Sequence, residues 1–254
     1  MNTFTICRRE LISYFRSPIA YGVMAFYAII AGYFYWAAVT IFIRQSLQST
    51  LTGQSVPMSV DDWVIRSVFS NVAVIGLFVV PMIAMRLFAE EKRSGTIELL
   101  VTSPLRDLEI IVGKWLAAVV LYAAMLAVSL VSIGLLYMYG KPSWKGILIG
   151  YLGLLLQGCA MLAVAAFISS CTKNQIIAAA GAFGVLLLLW TIDWTTTLSD
   201  TPLMHAVGYL SLSSHNENFS KGLLDAKDAV FYVTMSLFGL FLTARSMESM
   251  RWRA

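Results

Sequence analysis

The sequence predicts an all-α, polytopic membrane protein, and three observations lead to that prediction. Of its 254 residues, 59% are hydrophobic and 13% are charged, about half the charged share of a soluble domain. Several apolar runs are long enough to cross a bilayer as helices. The basic residues lie mainly at the ends of those runs, as in membrane-flanking segments, so membrane lipid is the expected surrounding and a nucleic-acid partner is not expected.

The first predicted element is a short amphipathic helix within residues 1–18, lying in the membrane interface. Its apolar side chains recur at helical spacing, and its basic side chains fall on other faces. The apolar positions are Phe4, Cys7, Leu11, Tyr14 and Phe15. A plain cytoplasmic extension of the first span is the alternative. Ser17-Pro18 then indicates a new helix start, because proline suits the first helical position.

Six membrane spans follow in the prediction. They cover residues 19–43, 65–87, 109–137, 146–169, 175–193 and 228–246. The first span is rich in aromatic residues, and we select Tyr27 and Phe34 as candidates for lining a pathway or a subunit interface. In the fifth span, Ala180 and Gly184 are one turn apart, a spacing that lets helix backbones approach closely within the chain or between subunits.

The bias in Lys and Arg predicts the orientation. With the N-terminus inside, twelve of the 18 Lys and Arg residues lie on the cytoplasmic side. An even number of spans places the C-terminus inside as well. We therefore expect a multi-pass protein of the cell (inner, cytoplasmic) membrane, with both termini in the cytoplasm.

The densest charge lies in the loop of residues 88–108, between the second and third spans. Glu90 and Glu91 leave the second span, and Ser94-Gly95 indicates a turn. Thr96 can then cap a short helix with Glu98 in its first turn, and Ser103-Pro104 can begin the next helix. The short helix carries an apolar surface that includes Leu99 and Leu100. Such a helix either enters a groove on a partner or lies on the membrane surface.

The loop of residues 194–227 is predicted on the opposite, outer side. A capping sequence at Asp200 and an apolar stripe that includes Leu203 and Leu210 predict a re-entrant or amphipathic helix there. Asp225 can cap the last span. His205 and His215 are expected to be solvated or interfacial, and a metal site with Asp200 or Glu217 is the alternative.

Other functional classes are poorly matched. The one glycine pair with the spacing of a phosphate-binding loop, Gly153 and Gly158, is followed by Cys159 and not by lysine. We therefore expect no ATP hydrolysis by this chain. The spans contain almost no ionisable groups, which argues against an ion-coupled transporter; Lys114 is expected near a span end, reaching the interface. No catalytic residues and no metal ligands are assigned.

Residues 88–117, FAEEKRSGTIELLVTSPLRDLEIIVGKWLA, resemble the loop of ABC transporter permeases of the type-2 exporter class. SSCTKNQIIAAA at 169–180 and LSLSSHNENFSKGLLDAKDAVFYV at 210–233 resemble the subgroup associated with gliding-motility systems. The resemblance covers nearly the whole chain. It implies that residues 1–254 form a single transmembrane domain of an exporter.

The resemblance also implies a division of labour. A separate cytoplasmic ABC ATPase dimer binds ATP and Mg, and this chain, which carries no cofactor, pairs with a second copy or a related permease. The loop helix from Gly95 to Pro104 is then the coupling helix that docks on the ATPase, with Glu90 and Glu91 as its acidic approach. The implied function is export of a substrate driven by that ATPase. The alternative is a force-transmitting or anchoring subunit that translocates nothing.

Overall fold

The computed structural model describes residues 2–52, 59–96, 106–139, 142–194 and 207–251. All regular secondary structure in these ranges is helical, which confirms the predicted all-α fold. The helices are α1 (Asn2–Arg16), α2 (Pro18–Thr52), α3 (Arg66–Ala84), α4 (Ala89–Ser94), α5 (Asp107–Tyr139), α6 (Trp144–Cys171), α7 (Gln175–Thr191), α8 (Leu212–Ser220) and α9 (Ala226–Arg251). A short π-helical turn, Asp61–Ile65, leads into α3.

Helix α1 is the predicted amphipathic helix, and it packs along the first half of α5. Its buried face carries Ile6, Cys7 and Tyr14, whereas Phe4, which the predicted stripe included, is 76% exposed. The contact with α5 is close: a Cβ atom on Gly113 would lie 2.9 Å from the Cγ2 atom of Ile6. The amphipathic helix is thus confirmed, although its buried face is rotated relative to the predicted apolar stripe. Its location in the membrane interface stays a prediction.

The number of spans requires a correction. Within the described residues, five helices are long and apolar enough to cross a membrane, namely Pro18–Leu51, Trp63–Ser94, Asp107–Met138, Trp144–Cys171 and Ala226–Ser249. The fifth predicted span, 175–193, forms α7 with only 17 residues. At 1.5 Å per residue such a helix is about 25 Å long, less than the ~30 Å hydrocarbon thickness. The membrane character is confirmed, but the count of six is not.

Although α7 is short, it connects the two ends of the helix bundle. Its first turn is capped by Asn174, whose side chain accepts a hydrogen bond from the Ile176 backbone N–H at 2.9 Å. Its last turn reaches α8, where the Ser213 hydroxyl donates to the Trp190 carbonyl at 3.1 Å. We name the two ends after their short helices: the α4 end, which includes Asn174, and the α8 end, which includes Trp190.

Helix α6 lies at the centre and contacts α3, α5, α7, α8 and α9. Its glycines admit aromatic side chains from its neighbours. A Cβ atom on Gly158 would lie 2.1 Å from the ring of Tyr122, and one on Gly153 would lie 2.4 Å from Phe219. The glycine pair that has phosphate-loop spacing therefore serves close packing in the core.

At the α8 end, α8 packs against α6, α3 and α9 around a buried histidine. His215 is 4% exposed, so the expectation of a solvated or interfacial side chain is wrong for this residue. Asp200, Leu203 and His205 of the predicted outer helix lie outside the described residues. Its Nδ1 atom lies 2.6 Å from Asp228 Oδ1, and its Nε2 atom donates to the Tyr209 carbonyl at 2.9 Å. Asp225 caps α9 as predicted, accepting from the Lys227 N–H at 3.0 Å. Among the described residues, no group of three or more His, Cys, Asp or Glu side chains could hold a metal ion.

Candidate functional site

The candidate site is the base of the charged loop, at the α4 end. Helix α3 ends at Ala84, and α4 begins at Ala89 and ends at Ser94. Gly95 follows with φ 75°, a left-handed conformation that terminates helices and favours glycine. The predicted Ser94-Gly95 turn is thus confirmed. The Ser94 and Thr96 hydroxyls lie 2.8 Å apart, and Thr96 is the last described residue of this segment.

The tip of the predicted coupling helix lies outside the described residues. This applies to Glu98, Leu99, Leu100 and Pro104. Gly95 and Thr96 are described and exposed. What the structure describes is therefore the root of the loop, where α4 joins the bundle.

The end of α6 holds the start of α4. The Ser169 hydroxyl accepts hydrogen bonds from the backbone N–H groups of Phe88 and Ala89, both at 3.2 Å. The Lys92 ammonium donates to the Ser170 carbonyl. Ser169, Phe88 and Ala89 are all buried. Because unpaired buried backbone N–H groups are costly, these bonds fix the direction in which α4 leaves the core.

Glu90 is held by an arginine from the preceding turn. The Arg86 guanidinium donates from Nε to Glu90 Oε2 at 2.7 Å and from Nη2 to Glu90 Oε1 at 3.2 Å. Its Nη1 atom also donates to the Ser17 hydroxyl at 3.2 Å, at the junction of α1 and α2. A two-point arginine–carboxylate pair is geometrically restrictive. Arg86 therefore ties the root of the loop to the start of the first span.

Glu91 points to the other side of α4 and meets a buried lysine. Lys114, in the second turn of α5, is 1% exposed. Its Nζ atom lies 2.7 Å from Glu91 Oε1 and 3.2 Å from Glu10 Oε1 of α1. Arg9 adds a second cation, 2.9 Å from the same Glu10 oxygen and 3.8 Å from Glu91. Two cations and two carboxylates thus form a balanced cluster that joins α1, α4 and α5.

The electrostatics of Glu10 reflect this arrangement. Burial favours the neutral acid and tends to raise the pKa of Glu10, but Lys114 and Arg9 outweigh burial and hold that pKa below its ordinary value. Glu10 is therefore a carboxylate at neutral pH. The second oxygen of Glu91, Oε2, is buried and has no hydrogen-bond partner among the described residues.

Sequence reasoning missed part of this cluster. Lys114 was expected to reach the interface, but α1 covers it and supplies Glu10 as its partner. Glu10 falls on the same helical face as Ile6, Cys7 and Tyr14. A lone acid within the buried stripe of an amphipathic helix was the available signal, since buried charges require partners. Ser169 begins the SSCTKNQIIAAA segment, but no sequence pattern predicts its hydrogen bonds to Phe88 and Ala89.

The candidate pathway or interface residues lie in different surroundings. Tyr27 is 1% exposed and belongs to the core of this chain. Phe34 is half-buried. Ala180 is exposed on α7, and a Cβ atom on the half-buried Gly184 would meet no atom within 4 Å. The open small-residue positions on α7 are available for contact with another helix, whereas the Tyr27 ring is already packed.

Comparison with known proteins adds one family. A family model described as "ABC-2 family transporter protein" matches residues 4–218, most of the chain. The match begins within α1, covers the whole charged loop and ends within α8. No curated protein matches the chain significantly.

Proposed function

The chain belongs to the ABC-2 transporter family and is thus a membrane permease component of an ABC transporter, and from that premise we propose that it couples a separate ATPase to export. A cytoplasmic ATPase dimer would bind ATP and Mg, while this chain supplies the membrane domain. The loop of residues 88–108 would transmit ATPase movement. Substrate would then cross between two permease subunits, either two copies or this chain with a related one.

The observation that supports this proposal best is the attachment of α4. Five interactions connect this six-residue helix and the adjoining Phe88 to three other helices. Three hydrogen bonds reach Ser169 and Ser170 of α6, and Glu91 pairs with Lys114 of α5 and with Arg9 of α1. A displacement of the loop tip would therefore move α1, α5 and α6 together. A loop that only lay on the membrane surface would not need such anchoring.

The proposal extends to orientation and assembly. Following the Lys and Arg bias, we place the α4 end and both termini on the cytoplasmic side of the membrane and the α8 end on the opposite, outer side. Ala180 and Gly184 on α7 are the proposed contact with the second permease subunit. Within the family we assign the chain to the gliding-motility-associated subgroup on the sequence resemblance. The alternative to export is an anchoring subunit that transports nothing, and the experiment below distinguishes the two functions.

The decisive experiment replaces Leu99 with aspartate. Burying one leucine contributes about 1.5–3 kcal/mol, and a carboxylate in an apolar groove adds a desolvation cost. Because each ~1.4 kcal/mol is about tenfold in affinity, Leu99→Asp should weaken ATPase retention by roughly two orders of magnitude. The measurement is co-purification of the ATPase with the membrane-inserted chain.

The matched control is Leu223→Asp, at a leucine that is 60% exposed at the α8 end. It should change neither the membrane level nor the ATPase retention. If Leu99→Asp inserts normally and holds the ATPase at wild-type affinity, the coupling role is wrong and the surface-lying loop becomes the better description. The anchoring alternative would be favoured if the wild-type chain retains the ATPase but sealed vesicles transport none of the molecules that co-purify with it.

A further inference from the structure

A basic pocket lies where α1, α2 and the segment after α3 meet, beside the loop root, and it shares Arg86 and Ser17 with the contacts that hold that root. Its volume is about 410 Å³. Three arginines, two serines and one isoleucine line it: Arg9, Arg16, Arg86, Ser13, Ser17 and Ile12. Such a density of guanidinium groups next to hydroxyls is suited to a phosphate group, which accepts several charge-assisted hydrogen bonds.

The arginines in this pocket are not all neutralised. Arg86 is bound by Glu90 and Arg9 by Glu10. Arg16 is exposed and makes no ion pair or hydrogen bond with any described residue. Within the part of the chain that the structure describes, the pocket therefore keeps the charge of Arg16 without an acidic partner. An anionic ligand would supply the missing partner.

An apolar crevice adjoins the basic pocket and shares Arg86 with it. The crevice is narrow, about 20 Å³, and is lined otherwise by Tyr14, Ile19, Ala20, Val23, Met82, Ile83 and Leu121. Ile19 is 48% exposed and Met82 is 37% exposed, so the crevice continues as an apolar surface. Both residues belong to helices that are candidate membrane spans. The apolar surface thus begins at the charged pocket and runs toward the membrane.

From these two adjoining surfaces we infer that the pocket binds the phosphate of an anionic phospholipid, whose acyl chain lies along Ile19 and Met82. Arg16 pairs with the phosphate, and Ser13 and Ser17 offer hydroxyl groups to it. Ile12, 41% exposed at the rim, contacts the glycerol and upper acyl region. A free phosphate would use the arginines but not the apolar surface, and a zwitterionic lipid would bring its own cation to the positively charged pocket.

This site goes beyond the proposed function and does not depend on it. It requires only that α2 and α3 lie in a membrane, so its test needs neither the ATPase nor a transported substrate. The bound lipid would act next to Ser17 and Arg86, the contact that ties the first span to the loop root. The site therefore offers a route by which membrane composition affects the loop.

The test is lipid binding to the full-length purified chain in a mild detergent, measured by native mass spectrometry. Phosphatidylglycerol should bind at least about fivefold more tightly than phosphatidylcholine, since one guanidinium near an anionic headgroup is worth about that factor. Arg16→Gln should remove about fivefold of phosphatidylglycerol affinity and leave phosphatidylcholine unchanged. Arg16→Lys, which keeps the charge, should retain most of the affinity.

The matched control is Arg93→Gln, which removes one exposed arginine at the same end of the bundle but outside the pocket. It should not change binding. A second variant, Ile19→Gln, should weaken phosphatidylglycerol binding without altering its salt dependence. A thermal unfolding measurement on each variant shows whether the fold is retained, and binding is compared among folded variants only.

Three results would overturn the inference. Equal binding of the two lipids would exclude a headgroup site, and an equal loss in Arg93→Gln would show diffuse attraction to the whole basic surface. Competition by inorganic phosphate that abolishes phosphatidylglycerol binding, with no effect of Ile19→Gln, would show an anion pocket that does not recognise lipid. Loss in Arg16→Gln and Ile19→Gln alone supports the lipid site.

Discussion

The two ends of the bundle each bury a charged cluster, but the clusters differ in what they connect. At the α4 end, Lys114 contacts Glu10, 104 residues away in the sequence, and Glu91, so that one buried cation joins three helices. At the α8 end, His215 contacts Asp228, 13 residues away, and Asn218 donates to the same carboxylate at 2.8 Å. The first cluster joins distant segments, and the second closes one local turn.

This difference indicates how each end responds to force. A cluster made by separate helices must change when any one of those helices moves, so it can transmit a displacement between them. A cluster within one short segment can move as a unit with that segment. Under the proposed coupling function, the α4 end would receive movement from outside the bundle, whereas the contacts at the α8 end hold one loop in a fixed shape.

The largest expected effect comes from removing the shared cation. Lys114→Met leaves Glu10 and Glu91 facing each other with only Arg9 nearby. Breaking a buried charge cluster in this way costs about 3–5 kcal/mol, so the unfolding temperature in detergent should fall sharply, and ATPase retention should fall with it. The measurements are thermal unfolding and ATPase co-purification on the same preparations.

A triple variant tests whether the uncompensated charge is the cause. Adding Glu10→Gln and Glu91→Gln to Lys114→Met removes the two carboxylates and should restore much of the stability. Lys145→Met, at an exposed lysine near the other end, is the control and should have little effect. Full stability in Lys114→Met alone would contradict the joining role of this cluster.

An intermediate effect is expected at the α8 end. His215→Ala removes a ring that stacks on Phe231 at 3.9 Å between centroids and leaves Asp228 with one fewer partner. Losing hydrogen bonds to a charged group costs about 1.5–3 kcal/mol. Thermal stability should fall, but ATPase retention by the folded fraction should stay at the wild-type value. A loss of retention equal to that of Lys114→Met would erase the distinction between the two ends.

The smallest expected effect is the pH dependence of the two carboxylates outside the spans. The pKa of Glu10 is held below its ordinary value at one end, where Lys114 and Arg9 outweigh burial, and the pKa of Glu217 is lowered at the other end by Lys221 and Arg66. A lowered folded-state pKa means stability that is present above the unfolded pKa and is lost as pH falls through the folded value.

Acid titration of the unfolding temperature measures this dependence. Stability should fall between about pH 5 and about pH 3, and Glu10→Gln should reduce the fall. Salt separates the two ends, because Glu217 is 52% exposed and Glu10 only 15%. High ionic strength should screen the Glu217 contribution and leave the Glu10 contribution in place. A Glu10→Gln variant with an unchanged acid dependence would show that this carboxylate gains nothing from its partners.

Much of the helical architecture followed from sequence pattern. Pro18 begins α2 and Asp225 caps α9 as predicted, because capping and proline preferences act over a few residues. The Ser94-Gly95 turn was predicted for the same reason. The count of six spans was not confirmed, because the fifth predicted span forms a helix of only 17 residues, and an apolar run reports hydropathy and not how many of its residues form one helix.

The sequence by itself determined that this is a membrane protein, and it determined the helical class, the family and the position of the charged loop along the chain. Hydropathy, capping and motif spacing are local properties and can be read without the structure. Only the tertiary structure decided that Glu10 and Lys114 meet, that His215 is buried and that Gly158 admits Tyr122. These contacts depend on how helices are rotated and packed. Many pairings of faces satisfy the same hydropathy pattern, and the one adopted is selected by the fit of side chains that lie far apart in the chain.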